Sequence, residues 1–285
     1  MRKIGVICIA IIFAASNVFA QESQNKKEKK DFSEMFPQTG DFAVGLDMAN
    51  FVQSIFGSIT GGTNNPTLAF QSDFYGKYFL TDKSALRVRL GIGINNSTDR
   101  RFVRNDAEYL LNPLENNPIT EAKTVDVRKN RNTGIELGVG YEYRRSLWRV
   151  QGYVGGEVFG GMGIGRNLYE YGNPMTNTNQ TPTTTGVWGN TNPYGTRSYR
   201  LLDEKTFSFN AGAAAFIGAD LFICRNLSIG AEFRLEGRYT RWNERKGKTE
   251  TWLFDQAYTA EEKTQPVTSN FGLNPGWGLN LMIYF

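Results

Sequence analysis

The chain contains no histidine anywhere in its 285 residues. That absence excludes Ser-His-Asp and Asp-His catalysis, imidazole general bases and His-ligated zinc. Cysteine is almost as scarce, with Cys8 and Cys224 the two present. No segment approaches the ~18 consecutive apolar residues that a membrane-spanning helix needs. A large excess of one charge is missing as well: 32 basic residues face 28 acidic ones. That balance argues against the basic stripe of a nucleic-acid binder, so no nucleic-acid partner is expected.

What is present begins with a leader. Arg2 and Lys3 precede an apolar stretch from Ile4 to Ala15, and Val18-Phe19-Ala20 precedes Gln21. This is the pattern of a secretory signal peptide over residues 1–20, cut between Ala20 and Gln21. Its removal takes Cys8 with it and leaves Cys224 as a single thiol, which cannot close an internal disulfide. Residues 21–40 are polar and carry the run Lys26-Lys27-Glu28-Lys29-Lys30, which predicts a disordered tether. An exported chain without a further apolar helix is free in the periplasm, secreted, or a barrel.

The last nine residues choose among these. Trp277, Leu279, Leu281, Ile283 and Phe285 fall on one face of a strand, and Gly278, Asn280, Met282 and Tyr284 on the other. Seven similar alternating segments precede this one. The clearest is Leu86, Val88, Leu90, Ile92 and Ile94 against Arg87, Arg89, Gly91 and Gly93. Short turns at Thr81–Ser84, Arg145-Ser146 and Cys224–Asn226 alternate with long links at 50–66, 95–132, 166–197 and 243–267. The pattern predicts an all-β fold over residues 41–285: an eight-stranded antiparallel up-and-down transmembrane β-barrel with four long extracellular loops. Aromatic residues expected at the lipid interfaces are Phe79, Trp148, Phe222 and Phe285 near the short turns. Tyr169, Tyr239, Trp242 and Phe271 are expected to play that part near the loops.

The non-lipid face carries Asp73, Glu136, Glu142, Glu157, Glu232 and Glu236 together with Arg87, Arg89, Arg149, Arg234 and Arg238. Asp41, Asp47, Asp220, Lys77 and Arg144 share that face. A bore of eight strands is just wide enough for side chains to fill, so such charges must pair. The series Glu232, Arg234, Glu236 and Arg238 predicts a cross-strand ladder of ion pairs. Paired carboxylates such as Glu232 and Glu236 also suit acid–base work, but a closed ion network needs fewer assumptions, and no cofactor is implied. The glycines Gly155, Gly156, Gly160, Gly161, Gly163 and Gly165 miss the dinucleotide spacing and are read as points where strands coil.

Together these features resemble the OmpA/OmpX type of small outer-membrane β-barrel. The entry segment Phe36-Pro37-Gln38-Thr39-Gly40-Asp41 is also similar to that of Bacteroidota outer-membrane barrel-domain proteins. The resemblance implies residence in the outer membrane of a Gram-negative bacterium, with the N-terminal tether in the periplasm. It also implies recognition of Trp277, Leu279, Leu281, Ile283 and Phe285 by the barrel-assembly machinery. Outer-membrane barrel proteases, phospholipases and acyl-modifying enzymes rely on a histidine, so their activities are not implied. The function expected is non-enzymatic: a barrel presenting surface loops in a structural or surface-interaction role to an unknown surface partner. A narrow pore or small apolar solute carrier, and a soluble periplasmic ligand-binding barrel, stand as alternatives. In the loops, Phe51, Val52, Ile55, Phe56 and Ile59 suit a short amphipathic helix. Arg100, Arg101 and Arg104 offer contacts to lipopolysaccharide phosphates, and residues 173–192 read as flexible polar chain.

Overall fold

A computed structural model of the chain describes residues 33–48, 51, 67–111, 122–185 and 199–285. The expected cleavage site at Ala20 and Gln21 and the proposed loop helix, apart from Phe51, lie outside these residues. Chain contacts divide into a unit Met1–Glu34, of which only residues 33–34 are described, and a unit Met35–Phe285.

Among its described residues the second unit has ten strands: β1 Phe42–Asp47, β2 Thr67–Thr81, β3 Ser84–Arg104, β4 Lys123–Leu147, β5 Val150–Glu170, β6 Tyr199–Cys224, β7 Leu227–Trp242, β8 Arg245–Leu253, β9 Gln256–Gln265 and β10 Thr268–Tyr284. Eight of them close a ring in the order β1-β2-β3-β4-β5-β6-β7-β10, antiparallel at every step, with β1 against β10 completing the circuit. These eight are the strands expected from the alternation.

The strands are longer than that alternation. β4 runs for 25 residues and β6 for 26, whereas ~9–11 tilted residues cross a bilayer. On β4 the outward apolar set stops at Ile135, but pairing with β3 continues to Lys123. Two segments expected as irregular loops are therefore strand. The link 95–132 is mostly a long β3–β4 hairpin ending in a short helix, α1 (Asp106–Leu111). The link 243–267 is the β8–β9 hairpin, which pairs with the far end of β6.

The turns explain the short-link end. Between β4 and β5 the chain reverses on Trp148 and Arg149, with Trp148 at φ 55°. Between β2 and β3 the Thr81 and Ser84 hydroxyls lie 2.7 Å apart. Residues 36–40, expected as tether, are held instead. Phe36 packs edge-on against Phe222, and the Thr39 backbone N–H donates to Asp82 at 3.0 Å.

β1 is short, and this leaves a seam. Its pairing with β10 ends at Asp47↔Asn280 and with β2 at Leu46↔Phe74. Beyond those points neither β2 nor β10 has a ladder partner on that side among the described residues. Pro275 lies in this part of β10, where an edge tolerates its missing N–H.

Candidate functional site

The outward face is a belt of exposed apolar side chains, among them Leu86, Val88, Leu137, Val139, Val158, Ile217, Phe233 and Leu279. Inside, the bore has two different halves. The half nearest the short turns is filled, and the other is a cup.

The filling is layered. At the bottom, Phe79, Phe222, Met282 and Tyr284 form an apolar cluster with Ala43, Tyr75 and Ala85, and Met35 and Phe36 pack onto it. Phe79 and Phe222 were expected at the lipid interface, but both point into the bore and are fully buried. Among the loop-end aromatics, the register turns Tyr169 and Trp242 inward as well: Trp242 pairs with inward Ser208, and Tyr169 with Arg128, two places along from inward Asn130.

Above that cluster Arg144 donates to Glu142, Asp220 and the side-chain amide oxygen of Gln151, the last at 2.7 Å. Lys77 adds a 3.2 Å pair with Glu142. In the next layer Arg87 grips Glu232 with two N–H donors and lies 3.7 Å from Glu157. Its guanidinium is held between the rings of Tyr75 and Phe216, at 4.4 and 4.3 Å. The Tyr153 hydroxyl donates to Glu232 at 3.0 Å. The top layer joins Arg89 to Glu157, Glu136 and Asp73 at 2.8, 2.6 and 3.3 Å. Arg234 reaches Glu157 at 2.9 Å, and Arg238 pairs with Glu136 and Glu236. Phe159 lies under three guanidiniums of this layer, those of Arg89, Arg234 and Arg238.

The structure thus brings together Asp73, Arg87, Arg89, Glu136, Glu142, Glu157, Glu232, Arg234, Glu236 and Arg238. It does not include Arg149, which sits in the β4–β5 turn and donates to the Ile223 carbonyl at 3.3 Å. The inward/outward count that placed Arg149 in the bore fails because β5 begins only at Val150. The expected cross-strand ladder is also corrected. β3 and β7 stand on opposite sides of the ring, so Arg87–Glu232 spans the bore, as does Arg238–Glu136 from β7 to β4. Sequence reading missed Tyr75, Gln151, Tyr153, Phe159 and Phe216, though strand parity alone places each of them inward.

Over the top layer lies a cup of about 1140 Å³, floored by Arg89, Glu136, Arg234, Glu236 and Arg238. Its wall mixes amides, hydroxyls and glycines, among them Asn132, Asn167, Asn210, Ser208, Gly93 and Gly276, with apolar residues such as Phe70, Met162 and Pro275, and Trp242 adds an inward indole. A Cβ at Gly93 or Gly276 would meet nothing within 4 Å. Both also lack the positive φ that would call for glycine. The missing side chains therefore create volume rather than relieve a clash. By contrast, a Cβ at Gly138 would lie 2.2 Å from Glu157 Oε1, so there the absence of a side chain admits the strut.

Past the cup, two buried aspartates tie the expected flexible loop to the β3–β4 hairpin. Asp106 accepts from the Thr183 backbone N–H at 2.6 Å, Asn179 at 2.9 Å and Arg104 at 3.2 Å. Asp126 accepts from the backbone N–H groups of Gly172 and Thr185, both at 2.9 Å. Burial opposes ionisation of Asp106, but these donors outweigh it and hold its carboxyl below the usual carboxylate range. Residues 171–185 are thus latched; 186–192 lie outside the described residues. The Arg104 of the expected lipid-binding cluster belongs to this latch, and Arg101 lies 3.5 Å from Asp99.

Comparison with known proteins agrees with this architecture. The model of the OmpA-OmpF-like porin family matches residues 60–243, more than half of the chain. The chain belongs to that family. This porin-family chain is accordingly a small outer-membrane β-barrel. Among solved structures, the outer membrane protein OprG from Pseudomonas aeruginosa is 9% identical with a TM-score of 0.31, covering 88% of this chain and 98% of its own. The outer membrane protein AlkL in DMPC lipid bilayers is 12% identical with a TM-score of 0.25, covering 92% and 96%. No curated protein matches this porin-family chain.

Proposed function

We propose that the protein is a non-enzymatic outer-membrane barrel that closes its own bore and presents its long hairpins outside the cell as a surface-interaction structure. The observation that supports this reading is the stack of trans-bore layers between Phe79 and Arg238, in which side chains cross at every level. The carboxylates of the bore, Glu136, Glu157, Glu232 and Glu236 among them, are engaged as struts, and histidine is absent. In the same reading, cleavage after Ala20 frees the mature chain. The face formed by Trp277, Leu279, Leu281, Ile283 and Phe285 then guides insertion by the assembly machinery. The exposed apolar belt speaks against a soluble periplasmic barrel.

The test is planar-bilayer recording of the refolded mature chain, which is expected to show no steady channel. Persistent openings would refute a closed bore. Orientation has its own assay, because Cys224 is exposed at the short-turn end. A membrane-impermeant maleimide is expected to spare it in intact cells and label it in broken ones. Labelling of intact cells would reverse the orientation.

The cup favours a second reading, binding of a small solute from the hairpin side. The ion-paired floor and the wall amides suit polar groups on such a solute.

A further inference from the structure

On the outer face the apolar belt ends in a line of cations. Register sets Arg131 of β4 opposite Arg166 of β5, Arg166 opposite Lys205 of β6, Lys205 opposite Lys246 of β8, and Lys246 opposite Lys263 of β9. Their chain neighbours Asn132, Gly165, Thr206 and Arg245 line the cup, so alternation turns the five outward, and all five are exposed. On β5 and β6 the row directly follows the apolar residues Ile164 and Phe207, and β7 passes in the same way from Tyr239 to Arg241.

Like charges directly opposite one another destabilise a sheet. Local carboxylates answer only part of this row. Arg166 pairs with Asp203 and Lys263 with Glu244, both at 2.8 Å. Arg131, Lys205 and Lys246 have no ion pair among the described residues. We propose that the row binds phosphate carried on a lipid, and specifically the phosphorylated sugar headgroup of an outer-leaflet glycolipid. Three properties converge on that class. The row supplies positive charge in excess of its partners. Guanidinium forks match phosphate oxygens in pairs. The apolar belt beside the row offers acyl chains a surface, while long basic side chains lay their stems along apolar ground and hold their heads in water. A soluble polyanion would use only the first two. Assignment to the outer leaflet rests on the orientation proposed above. Arg100, Arg101 and Arg104 fit the role less well, since six or more residues of β3 past Ile94 put them about 20 Å beyond the belt.

The test uses the mature full-length chain refolded in uncharged detergent. It is titrated in mixed micelles with bisphosphorylated lipid A, and with the same lipid stripped of phosphate, bound lipid being counted by native mass spectrometry. The wild type is expected to prefer the phosphorylated lipid, with the preference weakened at high salt. The triple variant Arg131→Gln, Lys205→Gln, Lys246→Gln should lose about fivefold in affinity per cation removed, roughly 100-fold together. The charge-conserving pair Arg131→Lys and Lys205→Arg should keep most of the preference. Equal binding of the two lipids, equal binding by the triple variant, or full displacement by millimolar inorganic phosphate would each overturn the proposal. A second measurement guards against a folding artefact. In phosphate-free detergent the triple variant should melt no lower than the wild type, because repulsion has been removed; a lower melting temperature would make the row structural and overturn the proposal. Channel recording is independent of these outcomes, so failure here leaves the closed bore untouched, and the reverse also holds.

Discussion

Replacing Arg87 by alanine tests the strut arrangement most directly. Arg87 is 1% exposed, holds Glu232 with two donors and fills the space between Tyr75 and Phe216. Without it Glu232 keeps the Tyr153 hydroxyl, and Glu157 keeps Arg89 and Arg234. One buried carboxylate is then left without its cation. Breaking one side of a buried pair costs about 3–5 kcal/mol, or roughly two to three and a half decades in the folding equilibrium at ~1.4 kcal/mol per decade. Loss of the packed stem adds to this. Urea titration of the refolded barrel, followed by tryptophan fluorescence and by heat-modifiable gel migration, measures the change. Arg131→Ala is the comparator, an exposed residue expected to shift stability by no more than about 0.5 kcal/mol. Changing Glu232 to Gln in the Arg87→Ala background should recover part of the loss, since the stranded charge is gone. Two single variants of equal stability would refute the strut reading, as would a double variant no better than Arg87→Ala. Conductance should stay absent in Arg87→Ala, because the Arg144 layer and the Phe79–Phe222 cluster below it remain.

Other consequences are separable. Gly93→Ala should leave stability within about 0.5 kcal/mol, whereas Gly138→Ala should cost about 1–3 kcal/mol by displacing Glu157; urea midpoints that fail to separate the two would contradict the division into cup and plug. Deleting Phe285, which stacks on Phe42 at 4.8 Å, should lower the amount assembled in the outer membrane, and normal levels in membrane fractions would discount the terminal signal. Asp106→Ala should release residues 171–185 to limited proteolysis, with a local loss of about 1–3 kcal/mol from stranded donors. Because the Asp106 carboxyl titrates below its ordinary value, its latch is complete above pH ~4 and is lost as pH falls through the lowered value. Protease resistance that is flat on acidification would remove Asp106 as the cause.

The ring itself was legible because lipid on one side and ions on the other impose a strict period of two on every strand. Legibility stopped where lipid stops. Past Ile135 the outward residues of β4 are Thr133, Arg131 and Lys129, so the ladder continues without an apolar face to announce it. The β8–β9 hairpin was hidden for a different reason: its turn sets Phe254 and Asp255 at φ 50° and 59°, without the Asn-Gly pair that usually marks such a reversal. Apart from Arg149, which falls in a turn, parity put the ionic residues of the plug on the inner face but said nothing of who meets whom. Partners such as Arg87 and Glu232 are chosen across the ring, a relation that local alternation cannot express.

That separation has a bearing on how the barrel is made. Arg87 and Glu232 stand 145 positions apart, and Arg238 finds Glu136 across 102. While β7 is still being synthesised or threaded, Arg89 can already meet Asp73, Glu136 and Glu157, but Arg87 lacks its two-donor partner Glu232. Sealing the last hairpin therefore completes the plug, closing Arg87 onto Glu232 and Arg238 onto Glu136. A half-built sheet carries its own ionic deterrent to entering hydrocarbon prematurely.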